Sequence, residues 1–140
     1  MHPRRTLRIA LAEDDDVQRA ILEEALRLEG FDVVPFEDGD ELIDYFGLPP
    51  NRVRWPDALV TDVSMPGHTG LEAAAAARKA GFKAPIFIIT GVHTRQIQEQ
   101  AAQLGNALLL LKPLEVEELA QAIWHLAHVT STPPPRSSGS

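Results

Sequence analysis

The chain contains no cysteine. Disulfide bridges, thiol catalysis and cysteine-ligated zinc or iron–sulfur sites are therefore excluded. It has no basic run longer than a pair, and its formal net charge is −7, so nothing favours direct nucleic-acid binding. Long apolar runs are missing too. None approaches the roughly 20 residues of a membrane span. Leu7 to Ala12 is too short for a signal-peptide core and runs straight into acids. Aromatic residues make up only 6% of the chain, and Trp55 and Trp124 suit packing better than a binding platform. A cytoplasmic soluble protein is expected, and 140 residues suit one domain with a sizeable core.

What is present is organised around Thr61-Asp62-Val63-Ser64-Met65-Pro66-Gly67. The apolar run Ala58-Leu59-Val60 delivers one aspartate to its end, and Pro66 and Gly67 then turn the chain. Asp62 is thereby presented at the C-terminal tip of a strand. In open α/β sheets that edge is where ligands bind. A carboxylate on a buried strand tip is costly unless it is paired, hydrogen-bonded or on a metal.

The remaining chain alternates strands and helices. Residues 1–6 read as a disordered start and 130–140 as a Pro/Ser-rich disordered tail around a domain of residues 7–129. A short strand, Leu7 to Ala12, ends in Glu13-Asp14-Asp15-Asp16. Val17, Ile21, Ala25 and Leu28 fall at helical spacing, and Gly30 stops that helix. Phe31 to Val34 reads as a second strand at the sheet edge, with Pro35 at its end. Asp38 and Glu41 resemble a capping box for a helix through Phe46. Gly47 to Pro56 is a loop, and the strand carrying Asp62 follows.

Thr69 and Glu72 form a second capping box, opening an alanine-rich helix that stops at Gly81. Its run Ala73–Ala77 reads as close helix packing or plain propensity. Pro85 to Ile89 is a fully apolar strand suited to a central parallel position. Thr94 caps a helix with Ile97, Ala101 and Leu104 inward and Gly105 as its stop. A fifth strand, Ala107 to Leu111, precedes Lys112-Pro113, and a last helix turns Val116, Leu119, Ile123 and Leu126 inward. Acids in that helix's first turn and His125 and His128 in its last suit the macrodipole. Five βα units imply a parallel sheet with right-handed crossovers and helices on both faces.

Four strand tips then carry polar groups on one edge: Glu13-Asp14, Asp62, Thr90 and Lys112. Three neighbouring carboxylates raise one another's pKa, and a hard divalent cation removes that penalty. Mg²⁺ takes one or two carboxylates, keeps several waters and leaves room for a phosphate oxygen. An ammonium and a hydroxyl would complete a site for a phosphoryl group on Asp62, a carboxylate nucleophile giving an acyl phosphate.

These residues, with the stretch from Asp62 through Met65-Pro66-Gly67 to Gly70, Thr90-Gly91 and Lys112-Pro113, resemble the receiver domains of bacterial two-component response regulators. The resemblance covers residues 7 to about 128 and implies a flavodoxin-like, CheY-like fold with strand order 2-1-3-4-5. It implies Asp62 as phosphoacceptor from a sensor histidine kinase or a histidine phosphotransfer protein. It implies Mg²⁺ bound directly by Asp14, Asp62 and the main-chain carbonyl of Ser64, with Glu13 acting through water. Thr90 and Lys112 would engage the phosphoryl group, and a downstream effector protein would read the result. No enzymatic activity is expected beyond the domain's own phosphoryl transfer and dephosphorylation. With no output domain after the tail in this sequence, the signal is expected to pass through protein contacts, as a single-domain relay, unless the sequence is a fragment of a longer chain. Homodimerisation stays open. Receivers usually carry an inward-rotating aromatic side chain three residues before the lysine; Leu109 stands there instead.

Two other functions fit parts of the pattern. A receiver-like scaffold independent of phosphorylation is compatible with Leu109 but not with the intact acids, Thr90 and Lys112. A phosphohydrolase with an aspartate nucleophile, as in the haloacid-dehalogenase group, wants a second acid two residues on, where this chain has Ser64. Asp15 and Asp16 read as helix-starting residues rather than metal ligands, and His68 and His93 as surface histidines.

Overall fold

The computed structural model describes residues 6–49, 51–64 and 67–131, with side chains through residue 127. The two expected disordered ends lie almost wholly outside these residues, as do Met65, Pro66 and the side chain of His128. Five strands alternate with five helices: β1 (Arg8–Ala12), α1 (Asp16–Leu28), β2 (Asp32–Phe36), α2 (Gly39–Gly47), β3 (Ala58–Asp62), α3 (Gly70–Lys79), β4 (Ile86–Thr90), α4 (Arg95–Leu104), β5 (Ala107–Leu111) and α5 (Val116–Ser131). All strands pair in parallel, in the order β2-β1-β3-β4-β5. This is the doubly wound arrangement that the alternation predicts.

The period-two geometry of a strand sends successive side chains to opposite faces. Ile9 and Leu11, Ala58 and Val60, and Phe87 and Ile89 fill a core on one face, against Leu26 of α1 and Leu119 and Ile123 of α5. Ala10, Ala12, Leu59, Ile86 and Ile88 fill the other, against α2, α3 and α4. On that second face Ala73, Ala74 and Ala77 are fully buried, so the alanine run brings α3 close to the sheet. Phe46, Trp55 and Phe82 meet edge to face or tilted beside it, and Trp124 stacks on Phe31 at 5.0 Å. Both tryptophans thus pack, as expected.

Three local expectations shift. In α1 the stripe Val17, Ile21 and Leu28 faces outward, 66, 54 and 81% exposed. Leu22 and Leu26 face the core instead. The helix offers two apolar stripes, and its phase is set by Asp15, whose side chain caps it by accepting the Gln18 N–H at 2.9 Å. β2 runs through Pro35 to Phe36; an edge strand can spare the missing N–H. At α2, Asp38 accepts the Glu41 N–H at 2.8 Å, but Glu41 reaches back to the N–H of Glu37 at 2.7 Å. That capping box is therefore displaced by one residue. The one at Thr69 and Glu72 is complete.

Candidate phosphoacceptor site

β3 is buried along its whole length and ends on Asp62, which is 7% exposed. The turn after it is held by its own acid: the Ser64 N–H donates to Asp62 Oδ1 at 2.9 Å. The chain then returns into α3 with very little room. The Gly70 N–H donates to the Val63 carbonyl at 3.0 Å, and a Cβ on Gly70 would fall 1.9 Å from the carbonyl oxygen of Asp62.

Parallel pairing brings the other tips to the same edge. Lys112, one residue past β5, extends the ladder through its N–H to the Thr90 carbonyl at 2.8 Å. Its ammonium donates to Asp62 Oδ2 at 2.5 Å. That bond, with the surrounding acids, raises the Lys112 pKa against the effect of burial. Glu13 lies buried at the β1 tip, against the carboxyls of Asp62 and Asp14. Burial, joined by the charge of Asp62, pushes its carboxyl up to about 7, although the Asp15 N–H donates to Glu13 Oε2 at 3.1 Å. Asp14 itself is exposed. One cavity of about 520 Å³ is lined by Glu13, Asp14, Asp62, Ser64, Thr90 and Lys112 together. A second hollow of about 480 Å³ adjoins it beneath α1, walled by Leu11, Leu22, Val60 and Ile89.

Glu13, Asp14, Asp62, Ser64, Thr90 and Lys112, the residues singled out from the sequence for this edge, are therefore all brought to it. Thr90 is buried and turned away from the carboxylate: its hydroxyl donates to the Val92 carbonyl at 2.8 Å and accepts the Val92 N–H at 3.1 Å. Ser64 meets Asp62 through its N–H. Leu109 is half-buried and packs into the α2–α4 core face. Asp15 and Asp16 start α1, as expected.

Among the described residues no group of three or more His, Asp or Glu is arranged to hold a metal ion. Mg²⁺ does not need three carboxylates, since it completes its shell with water. The donors gathered here are oxygen only, burial and the neighbouring carboxylates disfavour ionisation of Glu13, and the set opens on one cavity. That set fits a hard divalent cation.

Sequence reasoning missed Arg19 and the role of His68. Arg19 lies one turn along α1 from the acids, a spacing that could have flagged it. His68 pairs with Asp40 through Nδ1 and Oδ1 at 2.5 Å, and the first turn of α2 lies tight against this loop: a Cβ on Gly39 would meet the His68 carbonyl at 2.1 Å. The Asp40 hydrogen bond holds the imidazole above its ordinary range, and His68 in turn holds Asp40 below the usual carboxylate range. Histidine charge favours the folded state below its unfolded pKa of about 6.5. That contribution is lost as pH rises through the raised folded value. It is lost again at low pH as Asp40 protonates. Both side chains are exposed, so the pair contributes little energy. In an NMR titration the His68 midpoint should lie above the ordinary histidine value and fall in Asp40→Asn. An unmoved midpoint in that variant would remove the pairing.

A family described as the response regulator receiver domain matches residues 9–124. The transcriptional regulatory protein PdtaR of Mycobacterium tuberculosis is 34% identical over 117 residues, covering 83% of this chain and 54% of that protein. The response regulator MprA of a Mycobacterium species is 33% identical over 125 residues, covering 89% and 52%. The chain thus spans about half the length of these curated relatives. Among solved structures, a Francisella response regulator receiver domain superposes with a TM-score of 0.78 at 21% identity, covering 90% of this chain and all of that one. That likeness concerns the fold alone. No helix among the described residues is long and apolar enough to cross a membrane.

Proposed function

Because the chain belongs to the response regulator receiver family, we propose that it is a phosphorylation switch of a two-component system, with Asp62 as the acceptor. The supporting observation is the ammonium of Lys112 on Asp62, within one cavity that also holds Glu13, Asp14 and Thr90. A sensor histidine kinase or histidine phosphotransfer protein is the donor, and an effector protein in the cytoplasm reads the changed surface. Asp14, Asp62 and the Ser64 carbonyl would hold Mg²⁺, with Glu13 joined through water. When bound, the ion supplies charge neutralisation to the crowded carboxylates and to phosphoryl oxygens.

The chain's own groups do the rest. Asp62 forms a bond from its carboxylate to phosphorus, while the P–N bond to the donor imidazole breaks and its electron pair leaves with the imidazole. Main-chain donation from Ser64 keeps the carboxylate oriented before the attack. Lys112 then faces the transferred oxygens, where its fixed positive charge offsets theirs. Thr90 gives up Val92 and donates to the same group. The two surface conformations so selected exist beforehand, and the acyl phosphate shifts their balance.

Incubation with MgCl₂ and a small acyl-phosphate donor, followed by intact mass measurement, tests this. The parent should gain a single phosphoryl group and Asp62→Asn none. Lys112→Met should form the adduct about 100-fold more slowly. An adduct of equal yield on Asp62→Asn would overturn the assignment of the acceptor. No adduct on the parent, with partner binding retained, would favour the phosphorylation-independent scaffold. Continued turnover of phosphoesters would favour the hydrolase.

A further inference from the structure

The strand tip that carries the acid pair is pinned at several points. The Glu13 N–H donates to the Phe36 carbonyl at 3.1 Å, continuing the β1–β2 ladder. Its side chain takes the Asp15 N–H at 3.1 Å. Its carbonyl oxygen would be left pointing along a run of four acids. Arg19 takes it: one guanidinium nitrogen, Nη1, donates to that oxygen at 2.9 Å. The other, Nη2, donates to Asp16 Oδ1 at 2.6 Å and stands 3.7 Å from Glu37 Oε1. The Arg19 side chain is only 14% exposed. It thus ties the β1 tip to the first turn of α1 and to the segment after β2.

We infer that Arg19 is a positioning residue for the cation site, setting the backbone from which Glu13 and Asp14 project. This rests on the metal reading above. Asp14 makes no part of a strand and sits between two mutually repelling acids. Without the guanidinium the turn would be free to relax outward under that repulsion, and the two carboxylates would lose their shared aim. Two nitrogens must act at once, on a carbonyl and a carboxylate in different directions. A planar fork does this and a single ammonium does not.

Charge and position pull in opposite directions here, which makes the inference testable. As a positive charge beside the acids, Arg19 opposes cation binding. As a brace, it favours it. Supporting groups around metal ligands typically alter affinity by about 10- to 100-fold. MgCl₂ titrations of the whole chain, followed by the amide signals of residues 13–16 and 62–64, compare the parent with Arg19→Met and Arg19→Lys. The rest of the spectrum reports folding. Both variants should bind Mg²⁺ about tenfold more weakly than the parent, although one has lost a positive charge and the other has kept it. If Arg19→Met binds as tightly as the parent or more tightly, Arg19 acts only as a charge or a structural tie, and the inference fails. The conservative variant decides the matter should Arg19→Met fail to fold: Mg²⁺ affinity equal to the parent's in Arg19→Lys also overturns it. A parent that shows no Mg²⁺ response sinks the metal reading itself, and this inference with it.

Discussion

Arg78→Met should destabilise the fold by about 3–4 kcal/mol, and Arg78→Lys should recover little of that loss. Arg78 sits in the last turn of α3, and its guanidinium donates only to main-chain carbonyls. Nε takes Leu104 at 2.8 Å, Nη1 takes Phe82 and Ala84 at 2.8 and 2.7 Å, and Nη2 takes Gly105 and Asn106 at 2.7 and 3.1 Å. Two of these acceptors lie at the end of α4, where the last carbonyls have no partner within the helix. Phe82 and Ala84 lie in the connection from α3 to β4, and Asn106 just before β5. Burial lowers the guanidinium pKa, as expected for a charge taken from water without a carboxylate among these acceptors. Methionine would fill the space and leave five carbonyls to find water in a half-buried place. Charged hydrogen bonds contribute about 1.5–3 kcal/mol each; the partly exposed ones contribute least, which keeps the total moderate. Lysine cannot span acceptors on two separate connections. Urea unfolding checks this, and a loss below about 1 kcal/mol would show that the carbonyls are satisfied without Arg78. The cluster lies at the sheet edge opposite Asp62, so the variant that remains folded should still form the phosphoryl adduct at the parent's rate.

Gly70→Ala should damage fold and site together. The added methyl would lie 1.9 Å from the Asp62 carbonyl oxygen and 2.7 Å from Thr61 Oγ1. The first is main chain, so no rotamer relieves it. Either α3 withdraws from the sheet or the tip of β3 moves, and both break the Gly70 N–H bond to the Val63 carbonyl. Overpacking of this kind typically costs about 1–3 kcal/mol, and more where the backbone itself must yield. The expected result is a loss of at least about 3 kcal/mol, with adduct formation on Asp62 slowed even in the folded fraction. The same substitution at Gly47, where a methyl meets nothing within 4 Å, is the control. If Gly70→Ala and Gly47→Ala melt alike, the close approach of α3 to the acceptor does not exist in solution.

The place of Asp62 was legible because an apolar strand ending in one acid and a forced turn leaves that acid few places to be. The gathering of Glu13, Asp14, Thr90 and Lys112 at one edge was read from the strand tips, while the sheet order and the separate metal roles of Glu13 and Asp14 were taken from resemblance, since residue types at strand tips do not by themselves say which strands adjoin. What stayed hidden has a common physical origin. The phase of α1 depends on the turn before it, and Val17-Ile21-Leu28 and Leu22-Leu26 are equally good stripes until Asp15 fixes the start. Arg19 and Arg78 act on carbonyl oxygens whose places are set by other segments, in Arg78's case partly more than twenty residues away, at the end of α4 and just before β5. A main-chain acceptor leaves no trace in side-chain chemistry, so Arg78 does not differ on paper from a solvated arginine, while Arg19 shows only its spacing from the acids.

The Thr90 hydroxyl carries one hydrogen, and it is committed to the Val92 carbonyl. A phosphoryl group on Asp62, as proposed, would have to unhook Val92 before it could claim that hydrogen, and that single proton would gear the four residues leading into α4 to the site. With an aliphatic side chain at position 109, such a linkage would carry the proposed switch along the backbone, with no swinging ring required.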